Sequence, residues 1–312
     1  MKYLFVILML SVISCDDDIP TEMTRHDSAH QLDINLSGSL QNPAFSPDGN
    51  AIVFTRFRNG YNEGASDLFI YNLTTHSLSP LISDDTGNVN LPGSVWDKTT
   101  DSIVFSSERE PHDEIFIIPA SGSAGDEVKI TARTDKQAYE PSFSPDGEWI
   151  VFESHVVDVE NDGVITKYKV DKTSEYINLT PPDDNCKQPN WSPIGDKILY
   201  QKKNDGKWAI WTIDSDGNNP EMVTTSDENA TDAVFSYDGN WIIYSSENDN
   251  VELANSYKIP VDGGTPTRVT NSRGYDGAPS ISPDGTKIAF EATVWDPDES
   301  KGATLWIMDI SL

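Results

Sequence analysis

The chain alternates short hydrophobic segments with polar turns along most of its length. Six of the hydrophobic segments carry an isoleucine followed two residues later by an aromatic residue. A period of two places both side chains on one face of a β-strand, so each pair predicts a strand with a buried face. The pairs are Ile52 with Phe54, Ile103 with Phe105, Ile150 with Phe152, Ile198 with Tyr200, Ile242 with Tyr244, and Ile288 with Phe290.

A turn sequence stands before each of these strands at a fixed offset. Ser-Pro-Asp-Gly begins at Ser46, Ser144 and Ser282, two variants begin at Ser192 and Ser236, and a degenerate copy begins at Asp97. Proline presets the first central position of a type I turn, and glycine takes the left-handed conformation that continues a bulged hairpin. The copies are 44 to 51 residues apart, which predicts six repeated units. Chance recurrence of the turn does not explain six isoleucines in register.

Each hairpin is followed by a third hydrophobic segment and, in most units, by a shorter fourth one. Four antiparallel strands make a propeller blade, so the predicted fold is an all-β, six-bladed β-propeller over residues 31–312. Its units start near residues 42, 92, 140, 188, 232 and 278. The last unit lacks a fourth segment, and we expect residues 31–37 to pair with residues 305–309 and close the ring, which removes free strand edges.

The repeat resembles the WD40-like propeller repeat with the Ser-Pro-Asp-Gly signature that is known from TolB propellers. The resemblance covers residues 31–312 and implies a TolB-like propeller. The expected difference from TolB itself is a lipid anchor before the repeats in place of an α/β domain. The resemblance therefore does not imply TolB's own role in the Tol–Pal system.

The first 30 residues predict export and lipidation rather than folded structure. Residues 1–14 combine Lys2 with a short hydrophobic stretch, as in a signal peptide. Cys15 follows Val12-Ile13-Ser14, which resembles a lipobox, and residues 15–30 would form a lipidated acidic linker. The acidic run at residues 16–18 resembles a surface-export signal, so we expect a surface-exposed outer-membrane anchor. The alternatives are a general secretory signal with a chance cysteine and an anchor that faces the periplasm.

Charge narrows the possible partners. The 312 residues include 51 Asp and Glu against 22 Lys and Arg, which gives a formal charge of -29. Such a surface repels polyanions, so a nucleic-acid partner is excluded and membrane contact is expected through the lipid anchor only.

Ligands of propellers usually bind where loops enter the innermost strands at the mouth of the central channel. The candidate ligand-binding residues in these segments are Tyr139, Glu140, Asp232, Tyr275 and Asp276. Aromatic and hydrogen-bonding groups of this kind suit a sugar or a basic protein surface. The same residue types also occur in ordinary turns, and that alternative stays open.

One segment resembles the start of a calcium-binding loop. Asp158, Glu160 and Asp162 alternate before Gly163, but Lys169 stands where a twelfth-position acid is expected. A solvated acidic turn between two strands is the simpler interpretation, with Ca²⁺ as the alternative. No other cofactor is predicted.

The sequence favours a non-enzymatic platform that binds an envelope protein or a glycan. The alternative is a carbohydrate-active enzyme such as a polysaccharide lyase, and a third possibility is a scaffold that makes contacts through its flanks. A lyase needs cations for the substrate carboxylate, and the predicted mouth has few. The sequence contains no Gly-x-Ser-x-Gly nucleophile elbow, which argues against a serine peptidase.

Overall fold

The computed structural model describes residues 27–85, 87–90, 95–225, 227–247, 253–272, 274–293 and 302–312. The regular structure of these residues consists of β-strands, which form six antiparallel sheets. Within the same ranges, no helix has the length and hydrophobicity needed to cross a membrane. The prediction of a six-bladed, all-β propeller is confirmed.

The strands of each blade follow one another from the channel outward. Blade one contains β2 (Ser39–Phe45), β3 (Ala51–Phe57), β4 (Ser66–Asn72) and β5 (Leu78–Ile82). Blade two contains β6 (Val89–Asn90), β7 (Trp96–Asp97), β8 (Ser102–Ser107), β9 (Glu114–Pro119) and β10 (Val128–Lys129), with β6 and β7 both paired to β8. Blade three contains β11 (Lys136–Phe143), β12 (Trp149–Val156), β13 (Val164–Lys169) and β14 (Ile177–Asn178).

The remaining three blades repeat this order. Blade four contains β15 (Cys186–Trp191), β16 (Lys197–Asn204), β17 (Lys207–Asp214) and β18 (Glu221–Met222). Blade five contains β19 (Ala230–Phe235), β20 (Trp241–Ser246), β21 (Asn255–Pro260) and β22 (Thr267–Arg268). Blade six contains β23 (Asp276–Ile281), β24 (Lys287–Ala292), β25 (Thr304–Asp309) and β1 (His30–Gln31).

The N-terminal segment closes the ring, as predicted, but over a shorter stretch. His30 pairs with Ile307 and Gln31 with Trp306, while Leu32 N–H donates to the Leu305 carbonyl at 2.9 Å. The predicted closing strand of residues 31–37 is therefore corrected to His30–Gln31. The chain leaves the ladder after residue 32, and Leu32 is buried in the core cluster that also contains residues of blades one and six.

The repeated turn is held by its serine, as blade three illustrates. Ser144 Oγ donates to Asp146 Oδ1 at 2.5 Å and accepts from the Trp149 N–H at 2.9 Å. Gly147 has a φ of 71°, the left-handed conformation predicted for that position. Ser46, Ser236 and Ser282 make the equivalent bonds in blades one, five and six.

The turn glycines also allow neighbouring blades to approach each other. A Cβ added to Gly195 would lie 3.2 Å from Pro145 of the preceding turn, and one added to Gly239 would lie 3.1 Å from Ile194. The glycine of one turn therefore packs against the second or third residue of the turn before it, which explains why the motif recurs as a unit.

The core lies between the faces of adjacent blades. All six isoleucines are 0% exposed, and their aromatic partners are at most 2% exposed. The predicted buried face of the second strands is confirmed.

Candidate functional site

A ring of bulged residues surrounds the narrow part of the central channel. In five blades the innermost strand slips register where one residue takes a φ of 44° to 53°. These residues are Asn42, Glu140, Gln188, Asp232 and Ala278, and all five line one cavity of about 30 Å³. A bulge leaves one residue outside the ladder and redirects its side chain. The candidate residues Glu140 and Asp232 therefore belong to strands β11 and β19 and not to loops, which corrects the expectation.

A second polar ring stands beside the first. It is formed by the residue nine positions after the start of each turn motif, and all six members are at most 5% exposed. They are Thr55, Ser106, Glu153, Gln201, Ser245 and Glu291.

Several members of the second ring bond to the bulged residue of the next blade. Glu291 accepts from the Asn42 N–H at 2.8 Å, and Glu153 accepts from the Gln188 N–H at 3.2 Å. A bulge leaves a backbone donor outside the strand ladder, and a buried donor needs a partner. The second ring therefore joins adjacent blades around the channel.

The channel widens at one end into a cavity of about 580 Å³, which we call the mouth cavity. Its wall includes Tyr139 and Glu140 from β11, Glu153 and His155 from β12, and the exposed hairpin of residues 157–163. At the other end, next to the turn motifs, a smaller cavity of about 90 Å³ is lined by aromatic residues. The large polar opening is thus at the mouth end.

His155 is held between two carboxylates in the mouth cavity. Its Nδ1 lies 2.8 Å from Asp162 Oδ1, and its Nε2 is hydrogen-bonded to Glu153 Oε1. Burial lowers the pKa of His155, but the bonds to Glu153 and Asp162 outweigh this effect and raise its pKa above 6.5. His155 therefore fastens the rim hairpin to β12 through Asp162, which also accepts from the Val156 N–H at 2.8 Å.

Glu140 and Gln188 connect the mouth cavity to the narrow ring. Gln188 Nε2 donates to Glu140 Oε1 at 3.2 Å and to Asp232 Oδ1 at 3.0 Å. Burial, together with the nearby charge of Glu153, raises the pKa of Glu140 well above its usual value. We call this part of the mouth cavity, next to the narrow ring, its deep end. The carboxyl groups of Glu140, Glu153 and Asp232 share few hydrogen-bond donors there.

Two tyrosines cover the opposite side of the ring. Tyr275 Oη donates to Asp232 Oδ2 at 3.3 Å, and Tyr61 Oη donates to Glu291 Oε1 at 2.6 Å. The two rings meet edge to face with their centroids 6.1 Å apart. Burial raises the pKa of Glu291 to about 7.

The candidate ligand-binding residues do not all reach the channel. Tyr139 lines the mouth cavity, with its ring centroid 5.7 Å from that of His155. Gln188 bonds to both Glu140 and Asp232, and Tyr275 bonds to Asp232, so these three candidates belong to one hydrogen-bonded group. Asp276 is 0% exposed, so its side chain is not presented to a ligand and this candidate is corrected. The other four stay predictions as ligand contacts.

The candidate metal residues are spread over the rim hairpin. Asp162 bonds to His155, and Glu160 lines the mouth cavity. Asp158 lies in the same hairpin with a φ of 63°. No group of three or more His, Cys, Asp or Glu side chains in the described ranges is arranged to hold a metal ion. Calcium binding here stays a prediction, and Cys15 lies outside the described residues.

Sequence reasoning missed Glu153, His155 and Gln201 in the mouth cavity, and it missed Tyr61 and Glu291 beside the narrow ring. A repeated signal was available for the second ring, since a polar residue follows the buried aromatic residue by one position in all six copies. The bulged residue also precedes a proline in four of its five copies.

These features define the class of protein as a six-bladed propeller with an acidic channel mouth. The family model for the TolB β-propeller domain matches residues 24–220 and 172–297, so the chain belongs to the TolB β-propeller family.

Several known proteins share this domain. The chain is 28% identical over 194 residues to the Tol-Pal system protein TolB of Francisella tularensis subsp. holarctica. That match covers 62% of this chain and 42% of the relative, so the chain matches less than half of the relative's length.

Solved structures show the same fold at low identity. TolB from Acinetobacter baumannii superposes with a TM-score of 0.64 at 16% identity and covers 85% of this chain and 64% of that one. Oligogalacturonate lyase from Vibrio parahaemolyticus gives a TM-score of 0.60 at 12% identity and covers 93% and 96%. At these identities the similarity shows the fold alone.

Proposed function

We propose that this protein is a cell-envelope platform that binds a partner protein at its channel mouth and catalyses no reaction. The observation that carries the proposal is the mouth cavity of about 580 Å³ with its rim hairpin. Its size is in the range of ligand-binding pockets. Val159 on the hairpin is 46% exposed, which provides apolar contact surface beside the polar wall.

The envelope location is supported by the family relationship and by the N-terminal sequence. A relative of this chain is named for the Tol-Pal system. The lipid anchor at Cys15 on the outer membrane is part of the proposal, since it rests on the lipobox-like sequence alone.

The charges of the mouth favour binding over a lyase reaction. Lys187 Nζ lies 3.7 Å from Glu153 Oε1, and both ring nitrogens of His155 are bonded to carboxylates. Both basic side chains therefore already face carboxylates of the protein. A lyase must neutralise a substrate carboxylate, which an acidic mouth opposes.

Site-specific photo-crosslinking in native envelopes tests the proposal. A photoreactive phenylalanine replaces Val159 at the mouth or, as a matched control, Val128, which is 53% exposed on the outer strand of blade two. A third position, Ile194, is 61% exposed at the opposite end.

We expect a protein adduct at position 159 and none at positions 128 and 194. Adducts at position 128 without any at 159 would instead support a scaffold that uses its flanks. No protein adduct at position 159, with glycan retained by the purified protein, would refute a protein partner.

A further inference from the structure

The deep end of the mouth cavity contains an amide whose orientation is fixed on three sides. Gln188 Nε2 faces the carboxylates of Glu140 and Asp232, and Gln188 Oε1 accepts from the Asp232 N–H at 3.1 Å. A reversed amide would place its oxygen against two carboxylates and its NH₂ against a backbone donor. Only the observed orientation satisfies these neighbours.

This orientation determines how Gln201 is placed. Gln188 Oε1 also accepts a hydrogen bond from Gln201 Nε2. Gln201 must therefore direct its own Oε1 away from Gln188, and Gln201 lines the mouth cavity. The residue is only 5% exposed, and its Oε1 has no hydrogen-bond partner among the described residues.

A second buried acceptor belongs to the wall of the same cavity. Glu140 Oε2 is likewise buried and accepts from no donor in the described part of the chain, and the Glu153 carboxyl group faces the same side chain. Glu140 Oε1 and Gln201 Nε2 both bond to Gln188, and both residues line the mouth cavity. Buried acceptors without donors are unfavourable, so a ligand that supplies donors is stabilised here.

The surrounding charge selects a cationic donor. Glu140 and Asp232 contact Gln188, and Glu153 accepts from its N–H. The adjoining narrow cavity of about 30 Å³ suits a compact group, and an ammonium has three donors on a single nitrogen. A planar guanidinium is larger and prefers a parallel pair of acceptors.

We infer that the deep end of the mouth cavity binds a primary ammonium group, presented as a lysine side chain of the partner protein. The inference rests on the proposed function, since it assigns the chemistry of the partner segment. Gln201 Oε1 and Glu140 Oε2 accept from the ammonium, while Tyr139 and Val159 of the cavity wall contact the methylene stem.

Peptide titrations of the whole purified protein test this inference. The probe is acetyl-Gly-Gly-Lys-Gly-Gly-amide, with norleucine, arginine or Nε-acetyl-lysine at the central position in three matched peptides. Binding is followed by NMR shift changes of the protein at low ionic strength. A glucosamine trimer serves as a non-peptide ammonium probe.

The lysine peptide is expected to bind at least tenfold more tightly than the norleucine and acetyl-lysine peptides. Glu140→Gln and Gln201→Met should each weaken it at least tenfold. Asp135→Asn is the matched control, because Asp135 is an exposed carboxylate just before β11 and does not line the mouth cavity. It should change the dissociation constant less than threefold. If Glu140→Gln does not fold, Gln201→Met alone decides the result.

Equal binding of the lysine and norleucine peptides would overturn the inference. So would an equal loss in the Asp135→Asn variant, which would indicate attraction by overall charge. Tighter binding of the arginine peptide would exclude the ammonium assignment, and binding of the glucosamine trimer alone would exclude a protein source. If a protein adduct still forms at position 159, any of these peptide results would overturn the ammonium inference alone and would leave the proposed function intact.

Discussion

Replacing the turn serine of blade three by alanine should destabilise the protein more than the same change in blade four. Ser144 Oγ donates to Asp146 Oδ1 at 2.5 Å and accepts from the Trp149 N–H at 2.9 Å. In blade four Ile194 stands where four of the other five turns have aspartate, and the one bond that Ser192 Oγ accepts within the described residues is a long one of 3.4 Å from the Ile194 N–H. Both serines are buried, at 3% and 1% exposure.

The size of the difference follows from the bonds that are lost. A bond to a charged group contributes about 1.5–3 kcal/mol and a neutral bond about 1 kcal/mol. Because Asp146 is largely solvated, the lower values apply, so Ser144→Ala should cost about 2–3 kcal/mol and Ser192→Ala about 1 kcal/mol. For roughly 280 residues the unfolding entropy is about 0.6 kcal/mol/K, so the expected decreases in Tm are about 4 °C and about 2 °C.

Differential scanning calorimetry measures both decreases under identical conditions. A double-mutant cycle with Asp146→Ala isolates the serine–aspartate pair, and we expect a coupling energy of about 1–2 kcal/mol. Equal decreases in Tm for the two serine variants, or no coupling in the cycle, would refute the reasoning.

Three further predictions concern ring closure and pH. Leu32→Ala should lower the free energy of unfolding by about 2–4 kcal/mol, because Leu32 is buried. Ile177→Ala, on an outer strand, should lower it by less than about 1 kcal/mol, and urea denaturation measures both variants. Equal losses of stability would contradict closure by the N-terminal segment. The bond from Ser282 and further bonds lower the pKa of Asp284 to about 2, so its stabilisation is present above pH 4 and is lost as the pH falls toward 2. The difference in unfolding free energy between wild type and Asp284→Asn should shrink below pH 4, and a difference independent of pH would contradict this. Burial and the neighbouring carboxyl groups of Glu153 and Asp232 raise the pKa of Glu140 and so favour its neutral form, which means that the affinity for the lysine peptide should increase as the pH is raised; constant or decreasing affinity would contradict this.

The fold could be predicted because its determinants are local and repeated. Ser144, Gly147 and Ile150 lie within seven residues of one another and define a turn and a buried strand face. The bounds of the closing strand could not be predicted in the same way. They depend on where Leu32 enters a core built from distant parts of the chain.

The mouth was predicted less completely than the fold, for a physical reason. Glu153 and His155 lie on a strand whose other face is hydrophobic core. The sequence alone therefore does not distinguish them from residues that only support the strand. Their juxtaposition with Gln188 depends on the approach of two blades. Asp276 shows the opposite error. It was predicted as a ligand contact because it lies in a mouth segment, but its position in β23 leaves it 0% exposed.

The most direct test of the account combines the two binding experiments. Native envelopes carrying the photoreactive group at position 159 are irradiated with increasing lysine peptide or norleucine peptide. The account predicts that the lysine peptide abolishes the protein adduct while the norleucine peptide leaves it unchanged. An adduct that persists at saturating lysine peptide would show that the partner does not use the deep end of the mouth and would contradict the account.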